Sequence, residues 1–242
     1  MTYSIDPEQI KWARIIGLAY LFVLVPAIFA EFYVLGQIIV DGNAAETARN
    51  IVAHESLFRL GLASNLIVFA ADVFLVTGLY VVLARIDRNL ALAATFFRLI
   101  ETTILFVAAL NDFTVLRILD GDYMQAFGPD QLAALARLGL NAHGSAYLLA
   151  LLIFSFGGSI FSYLWIKSGY VPKPLAMLGL FASVLMGVVQ LTYVVMPEAR
   201  SVITIAYYGG PIFVFEVTMG LWLVFKGIRP SDQIAPATLG LA

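Results

Sequence analysis

The chain contains no cysteine. Disulfides, thiolate metal sites, iron–sulfur clusters and a cysteine nucleophile are therefore excluded, while the compartment stays undetermined. Charge is scarce as well: Asp, Glu, Lys and Arg together make up 12% of 242 residues, against about a quarter in a soluble domain. The balance is near even, with a formal net charge of −2, so no basic surface is available and nucleic acid is not an expected partner. Only two histidines occur, and neither lies in a His-Glu-x-x-His run; no metal is called for, and nothing names a cofactor. There is no Gly-x-x-x-x-Gly-Lys-Ser/Thr loop to hold a nucleotide. No lysine sits at the centre of an apolar run, which excludes a retinal Schiff base.

Apolar residues fill the space instead. They make up 61% of the chain, with a mean hydropathy of +0.91, and they gather into six runs at about 12–39, 57–84, 90–118, 144–166, 174–196 and 203–226. The runs lack the alternation of a strand, and most are long enough to cross a bilayer core of about 30 Å as helices. The expected fold is all-α: a polytopic membrane helical bundle of six transmembrane helices with short outer-loop helices. Residues 1–228 read as one membrane domain, followed by a short tail at 229–242. The two halves do not align in their polar positions, so an inverted repeat is not supported.

Basic residues set the expected orientation. Lys11 and Arg14, Arg85 and Arg88, Lys167 and Lys173, Lys226 and Arg229 cluster tightly at helix ends on one side, whereas Arg49, Arg59, Arg117, Arg137 and Arg200 scatter on the other. The positive-inside rule then places both termini in the cytoplasm. Ile28-Phe29-Ala30 resembles a signal-peptidase site, but acids and bases are mixed before it and the apolar run is long, so the first helix is expected to be retained. Pro26 should kink that helix.

Two outer helices are expected. Asn43-Ala-Ala-Glu46 reads as a capping box opening a helix whose apolar side is Ala44, Ala48, Ile51 and Val52. Asp130–Leu140, after Gly128-Pro129, either leads into the fourth span or lies flat at the interface. Small residues recur at Gly179, Ser183 and Gly187, and at Ser155, Gly158, Ser159 and Ser162. Such stripes let helices approach closely, and here they read as intramolecular contacts, with a homo-oligomer face left open.

Charges inside the spans are the features most costly to keep. A charged side chain at the bilayer centre costs about 2.5–3.5 kcal/mol on insertion scales. Arg98 and Glu101 lie one turn apart in the third span and share a sector of about 60° with Asp112. Asn65 and Asp72 share a face of the second span, and Glu216 lies in the sixth. Counted from the basic anchors, Asp72, Arg98, Glu101 and Glu216 are roughly 13–20 Å deep, near the midplane. Three carboxyls against one guanidinium imply a held proton or a bound cation, with Arg98 as organiser through its fork of donors. A buried ion-pair network that fixes helix register would use the same residues.

Two further local features need weighing. Tyr207-Tyr-Gly-Gly-Pro211 should break or kink the sixth helix. Glu31, His54, Asp112 and His143 lie toward the outer side, where a metal or an axially ligated haem would need them to converge; nothing in their spacing requires that, and a hydrogen-bonded histidine at a helix start is the default. His143 and Ser145 are two apart and do not face one another, which argues against a nucleophile–base pair.

Several runs carry a family resemblance. They are Glu55-Ser-Leu-Phe-Arg-Leu-Gly-Leu-Ala-Ser-Asn-Leu66, Phe96-Phe-Arg-Leu-Ile-Glu101, Tyr123-Met-Gln-Ala-Phe-Gly-Pro-Asp130 and Ser168-Gly-Tyr-Val-Pro-Lys-Pro174. With Asp72 and His143-Gly144 they resemble the bacterial membrane family called domain of unknown function 4386, over nearly all of residues 10–228. The resemblance implies a multi-pass protein of the bacterial cytoplasmic (inner) membrane. It supplies no activity and hence no catalytic residue, but it directs attention to Arg59, Asp72, Arg98, Glu101 and His143.

Three functions follow as expectations. The first is a binder or carrier of a small molecule or lipid, with Asp72, Arg98, Glu101, Glu216, Asn65, Asp112 and His143 as ligand-binding residues. The second is an intramembrane enzyme using an acid–base pair such as Asp72 with Glu101 on a lipid-soluble substrate. The third is an accessory subunit of a membrane complex. In each case the lipid bilayer is the medium, and a small apolar or lipid ligand fits the first.

Overall fold

The computed structural model describes residues 5–124 and 126–229; the expected tail beyond Arg229 lies outside them. Every regular element among the described residues is helical. In chain order these are α1 (Pro7–Ile28), a π-helical segment (Phe29–Val34), α2 (Leu35–Ile38), α3 (Ala44–Ala53), α4 (Glu55–Leu83), α5 (Arg88–Ile118), α6 (Gly121–Met124), α7 (Pro129–Ser168), α8 (Lys173–Val195), a 3₁₀ turn (Pro197–Ser201) and α9 (Ile205–Phe225). Six helical stretches are long and apolar enough to cross a membrane: Pro7–Ile38, Glu55–Leu83, Arg88–Ile118, Pro129–Ser168, Lys173–Val195 and Ile205–Phe225. The protein is an all-α, multi-pass membrane helical bundle.

Local chemistry explains the helix boundaries. Asp6 caps α1: its Oδ1 accepts from the Glu8 N–H at 3.1 Å, and Gln9 Oε1 accepts from the Asp6 N–H at 3.1 Å. Pro7 takes the first helical position, where its missing N–H costs nothing. Asp87 caps α5 by accepting from the Leu90 N–H at 3.2 Å. Half of the expected box at α3 is present: Asn43 Oδ1 accepts from the Glu46 N–H at 3.0 Å, whereas Glu46 Oε2 accepts from Asn43 Nδ2 at 2.9 Å and the Asn43 backbone N–H donates to the Val40 carbonyl instead. The buried side of α3 is Thr47, Ala48 and Ile51, and Val52 faces outward. Thr47 replaces it because its hydroxyl is tied to Val40 and Asn43.

Pro26 does not end the first span. The helix instead widens three residues later into the π-helical segment, as happens when a missing donor disturbs the i→i−4 ladder. The Asp130 segment is continuous with the fourth span, so α7 runs unbroken for 40 residues. The Tyr207–Pro211 run does not interrupt α9: Pro211 falls in the second turn of a helix starting at Ile205.

Contacts divide the chain into two compact units. A terminal unit comprises the residues up to Leu21, Phe74–Leu99 and those from Leu152 onward; a central unit comprises Phe22–Val73 and Ile100–Leu151. The terminal unit packs Ile16, Leu75, Leu83, Leu164, Trp165 and Met219 into its core. Small residues set its spacing. A Cβ on Gly17 would lie 2.8 Å from the Gly220 carbonyl oxygen, so α1 and α9 touch backbone to backbone. The two stripes of α7 and α8 face each other: Gly158 against Ser183 Oγ at 2.7 Å, Gly187 against Ser155 Oγ at 2.5 Å and Gly179 against Ser162 Oγ at 2.8 Å, measured from where a Cβ would stand. They are intramolecular packing surfaces, as their spacing suggests. The core of the central unit holds Val34, Ile51, Phe69, Leu105, Val115 and Leu140.

Candidate functional site

In the central unit, four polar side chains from four separate helical segments meet. Glu31 lies within the π-helical segment, Asn65 on α4, Asp112 on α5 and His143 on α7. Asn65, Asp112 and His143 are buried, and Glu31 keeps 18% of its side chain exposed. Asn65 Nδ2 donates to Glu31 Oε1 at 2.8 Å. The other Glu31 oxygen, Oε2, faces His143 Nε2 at 3.8 Å. On its far side the imidazole hydrogen-bonds through Nδ1 to Asp112 Oδ2 at 3.0 Å. With Asp112 ionised, its carboxylate only accepts, and Nδ1 then carries the proton of that bond. Tyr147, one turn along α7, stacks its ring on the imidazole with centroids 5.5 Å apart. Two acceptors remain unfilled: Asn65 Oδ1 and Asp112 Oδ1 are buried and accept no hydrogen bond. Both residues line a cavity of about 10 Å³ with Ala30, Phe58 and Leu62. Such a volume holds about one water molecule.

The outer set of the sequence is thus partly assembled. Glu31, Asp112 and His143 come together, whereas His54 is exposed at the end of α3 beside the Asn50 carbonyl. His143 does not begin a helix; it lies well inside α7, which starts at Pro129. Ser145 turns away and donates to the Asn141 carbonyl at 2.9 Å. Among the described residues, no group of three His, Asp or Glu side chains is arranged to hold a metal ion. Asn65 joins through Glu31, a pairing that helical spacing on α4 alone does not disclose.

The deeper charges are placed in both units. Asp72 and Glu101 are buried in the central unit, where Asp72 Oδ2 accepts from Thr102 Oγ1 at 2.8 Å. Arg98, buried, and Glu216, half-buried, line one cavity of the terminal unit with Tyr20, Ser162, Trp165 and Ser183. The Arg98 guanidinium lies over the Phe154 ring at 4.3 Å, a cation–π contact that compensates part of its desolvation. Gly157 makes room for the arginine stem, since a Cβ there would stand 2.9 Å from Arg98 Cγ. The cavity measures about 20 Å³, which admits water-sized species and falls far below the roughly 300–1,000 Å³ of a drug-sized pocket. Ser162, Trp165 and Ser183 are its unforeseen walls; the serines announced themselves only as packing residues.

Against this geometry stands one family match. The family model described as domain of unknown function (DUF4386) matches residues 15–227. The chain belongs to that family. No curated protein and no solved structure matches it. Membership agrees with the six apolar helices and brings no activity with it, so the chemistry must be read from the site residues themselves.

Two more open clefts lie in the central unit. One, about 490 Å³, is largely apolar and runs between α3 and the start of α7, lined by Ala48, Val52, Leu119, Phe127, Pro129 and Leu132, with Arg49 and Asp130 beside them. The other, about 510 Å³, is lined by Arg59, Leu110, Phe113, Arg117 and Asp120.

Proposed function

We propose that the protein binds and carries a small polar solute across or within the membrane. The observation that supports this reading is the cavity lined by both Arg98 and Glu216 inside an apolar helical unit. An arginine and a carboxylate lining one cavity, with two serine hydroxyls and an indole N–H, offer donors and an acceptor to a small polar or anionic species. The volume favours a species of few atoms. The reading includes the cytoplasmic membrane of a bacterium as its location, with both termini inside, on the strength of the basic helix-end clusters.

Native mass spectrometry of the protein in mild detergent, wild type beside Arg98→Ala, tests the proposal. A small molecule bound to the wild type and lost from a still-folded variant supports it. Bare protein in both, with the variant unfolding readily, assigns Arg98 a purely structural role instead.

A second reading rests on the cleft between α3 and α7. Its apolar lining suits a lipid chain or another small apolar ligand, which would appear in the same spectra as a mass that survives Arg98→Ala.

A further inference from the structure

The central unit's polar cluster has a charge problem that the solute-binding cavity does not share. Among the described residues, the only cation within salt-bridge reach of Glu31 or Asp112 is His143, and neither carboxylate has another charged partner. Two carboxylates and a neutral imidazole carry a charge of −2. One added proton gives −1 and a second gives neutrality. A net charge inside apolar helices is costly, so the cluster is built to hold protons.

The geometry limits where they can sit. With Asp112 ionised, His143 Nδ1 donates to it, and the Nε2 atom faces Glu31 Oε2. Glu31 Oε1 is already taken by the Asn65 amide, so Oε2 is the oxygen free to take a proton opposite the imidazole. If neither atom were protonated, a lone pair would face a carboxylate at 3.8 Å. The remaining acceptors are Asn65 Oδ1 and Asp112 Oδ1, and their two residues line the cavity of about 10 Å³, a volume that admits a single water able to donate one hydrogen to each. With that water the contacts close into a ring: Glu31, Asn65, water, Asp112, His143 and back to Glu31.

We propose that Glu31, Asp112 and His143 form a proton-binding site, with one water between Asn65 and Asp112, whose exchangeable proton resides either on Glu31 or on His143 Nε2, which face one another at the ion-pair distance of 3.8 Å. Its ligand is a proton, and its occupancy changes the charge of the cluster by one. The π-helical segment is the device that presents Glu31; π-turns within α-helices occur often at functional positions. The titratable neighbours are few: Glu31 on the π segment, Asp112 on α5, and His143 with its stacked Tyr147 on α7, Asn65 of α4 being neutral.

The two-histidine composition makes the test direct. Isotope-labelled histidine in the wild-type protein yields ring-nitrogen NMR signals from His143 and from the exposed His54, which serves as an internal reference. Across about pH 5 to 8, the His143 signals are expected to follow a course separate from those of His54. Glu31→Gln should shift that course and leave His54 in place. Infrared difference spectra provide a second readout: a titrating carboxylic-acid carbonyl band should be present in the wild type, lost in Glu31→Gln and moved in Asp112→Asn, where the imidazole loses its acceptor. Bands from Asp72, Glu101 or Glu216 would persist in both variants. Two histidines that titrate together, or an infrared difference unchanged in both variants, would overturn the proposal. Should the variants fail to fold, the wild-type NMR titration alone decides between these outcomes.

Discussion

His143 and Asp112, thirty-one residues apart on α7 and α5, share a hydrogen bond of 3.0 Å in the buried part of the central unit. Each is a poor lipid-facing residue, and together they satisfy part of one another's hydrogen-bonding demand. Replacing Asp112 by Leu removes the acceptor and leaves a buried imidazole N–H unpaired. The imidazole can shed its charge, so the cost is that of an unsatisfied donor rather than of an isolated ion, about 1–3 kcal/mol. Asp112→Leu combined with His143→Leu should recover part of this loss, because the partner then has nothing left to satisfy. Reversible unfolding in mixed detergent micelles measures both; equal losses that simply add would show that the two side chains do not stabilise one another.

Gly157 predicts how the other charged cavity can be disturbed without touching its polar atoms. A methyl group there would stand 2.9 Å from Arg98 Cγ and 3.1 Å from the Ala94 carbonyl oxygen. The arginine stem is flexible and the carbonyl is not, so Gly157→Val should push Arg98 from its place over Phe154 at an overpacking cost of about 1–3 kcal/mol. Any small molecule retained by the wild type in native mass spectra should then be lost, as in Arg98→Ala. Retention in a folded Gly157→Val protein would show that the arginine's position does not govern binding.

What the sequence discloses is what a single helix can disclose. Six apolar runs mark six spans, Asn43 and Glu46 mark the start of α3, and small residues at four-residue spacing mark the facing surfaces of α7 and α8. Burial of Asn65, Asp72, Arg98, Glu101 and Asp112 is also legible, since polar residues in apolar runs must turn from lipid. The meeting of Glu31, Asn65, Asp112 and His143 is not. It depends on which helices are neighbours, and on a π turn that shifts Glu31 relative to the start of α1. Neither follows from periodicity along one element. The helix start near Pro129 is legible, but its continuation into the fourth span is not, because a helix that lies flat and one that continues into a span share the same caps.

Acid should loosen two helix starts. The Glu8 N–H and then the Arg85 guanidinium, 2.7 Å away, hold the Asp6 carboxyl below its ordinary value of 3.8. For Asp87 the Leu90 N–H and then the Lys167 ammonium do the same. A carboxyl lowered on folding stabilises the folded state above its unfolded value and loses that contribution as pH falls through the folded one. The caps should therefore be intact at neutral pH and fail below about pH 4. Amide hydrogen exchange, corrected for intrinsic rate, should show Glu8 and Leu90 losing protection on acidification. In Asp87→Asn the Leu90 response should flatten while that of Glu8 remains; a Leu90 response unchanged in that variant would disconnect it from the cap.

Two glycines of α7 should respond in opposite directions to the same substitution, and the contrast separates packing from helix propensity. A Cβ on Gly158 would lie 2.7 Å from Ser183 Oγ of α8, whereas a Cβ on Gly144 meets nothing within 4 Å. Gly144→Ala gains helix propensity at no steric cost, about 0.5–1 kcal/mol in favour of the folded state. Gly158→Ala forces the Ser183 hydroxyl aside and separates α7 from α8, and Gly158→Leu must part them outright. The expected order of stability is Gly144→Ala, wild type, Gly158→Ala, Gly158→Leu, the last lower by about 1–3 kcal/mol or more. Ser183→Gly should restore part of what Gly158→Ala loses, because it vacates the opposing position of the same contact. If Gly158→Ala were as stable as Gly144→Ala, the close approach of α7 and α8 at this level would be ruled out.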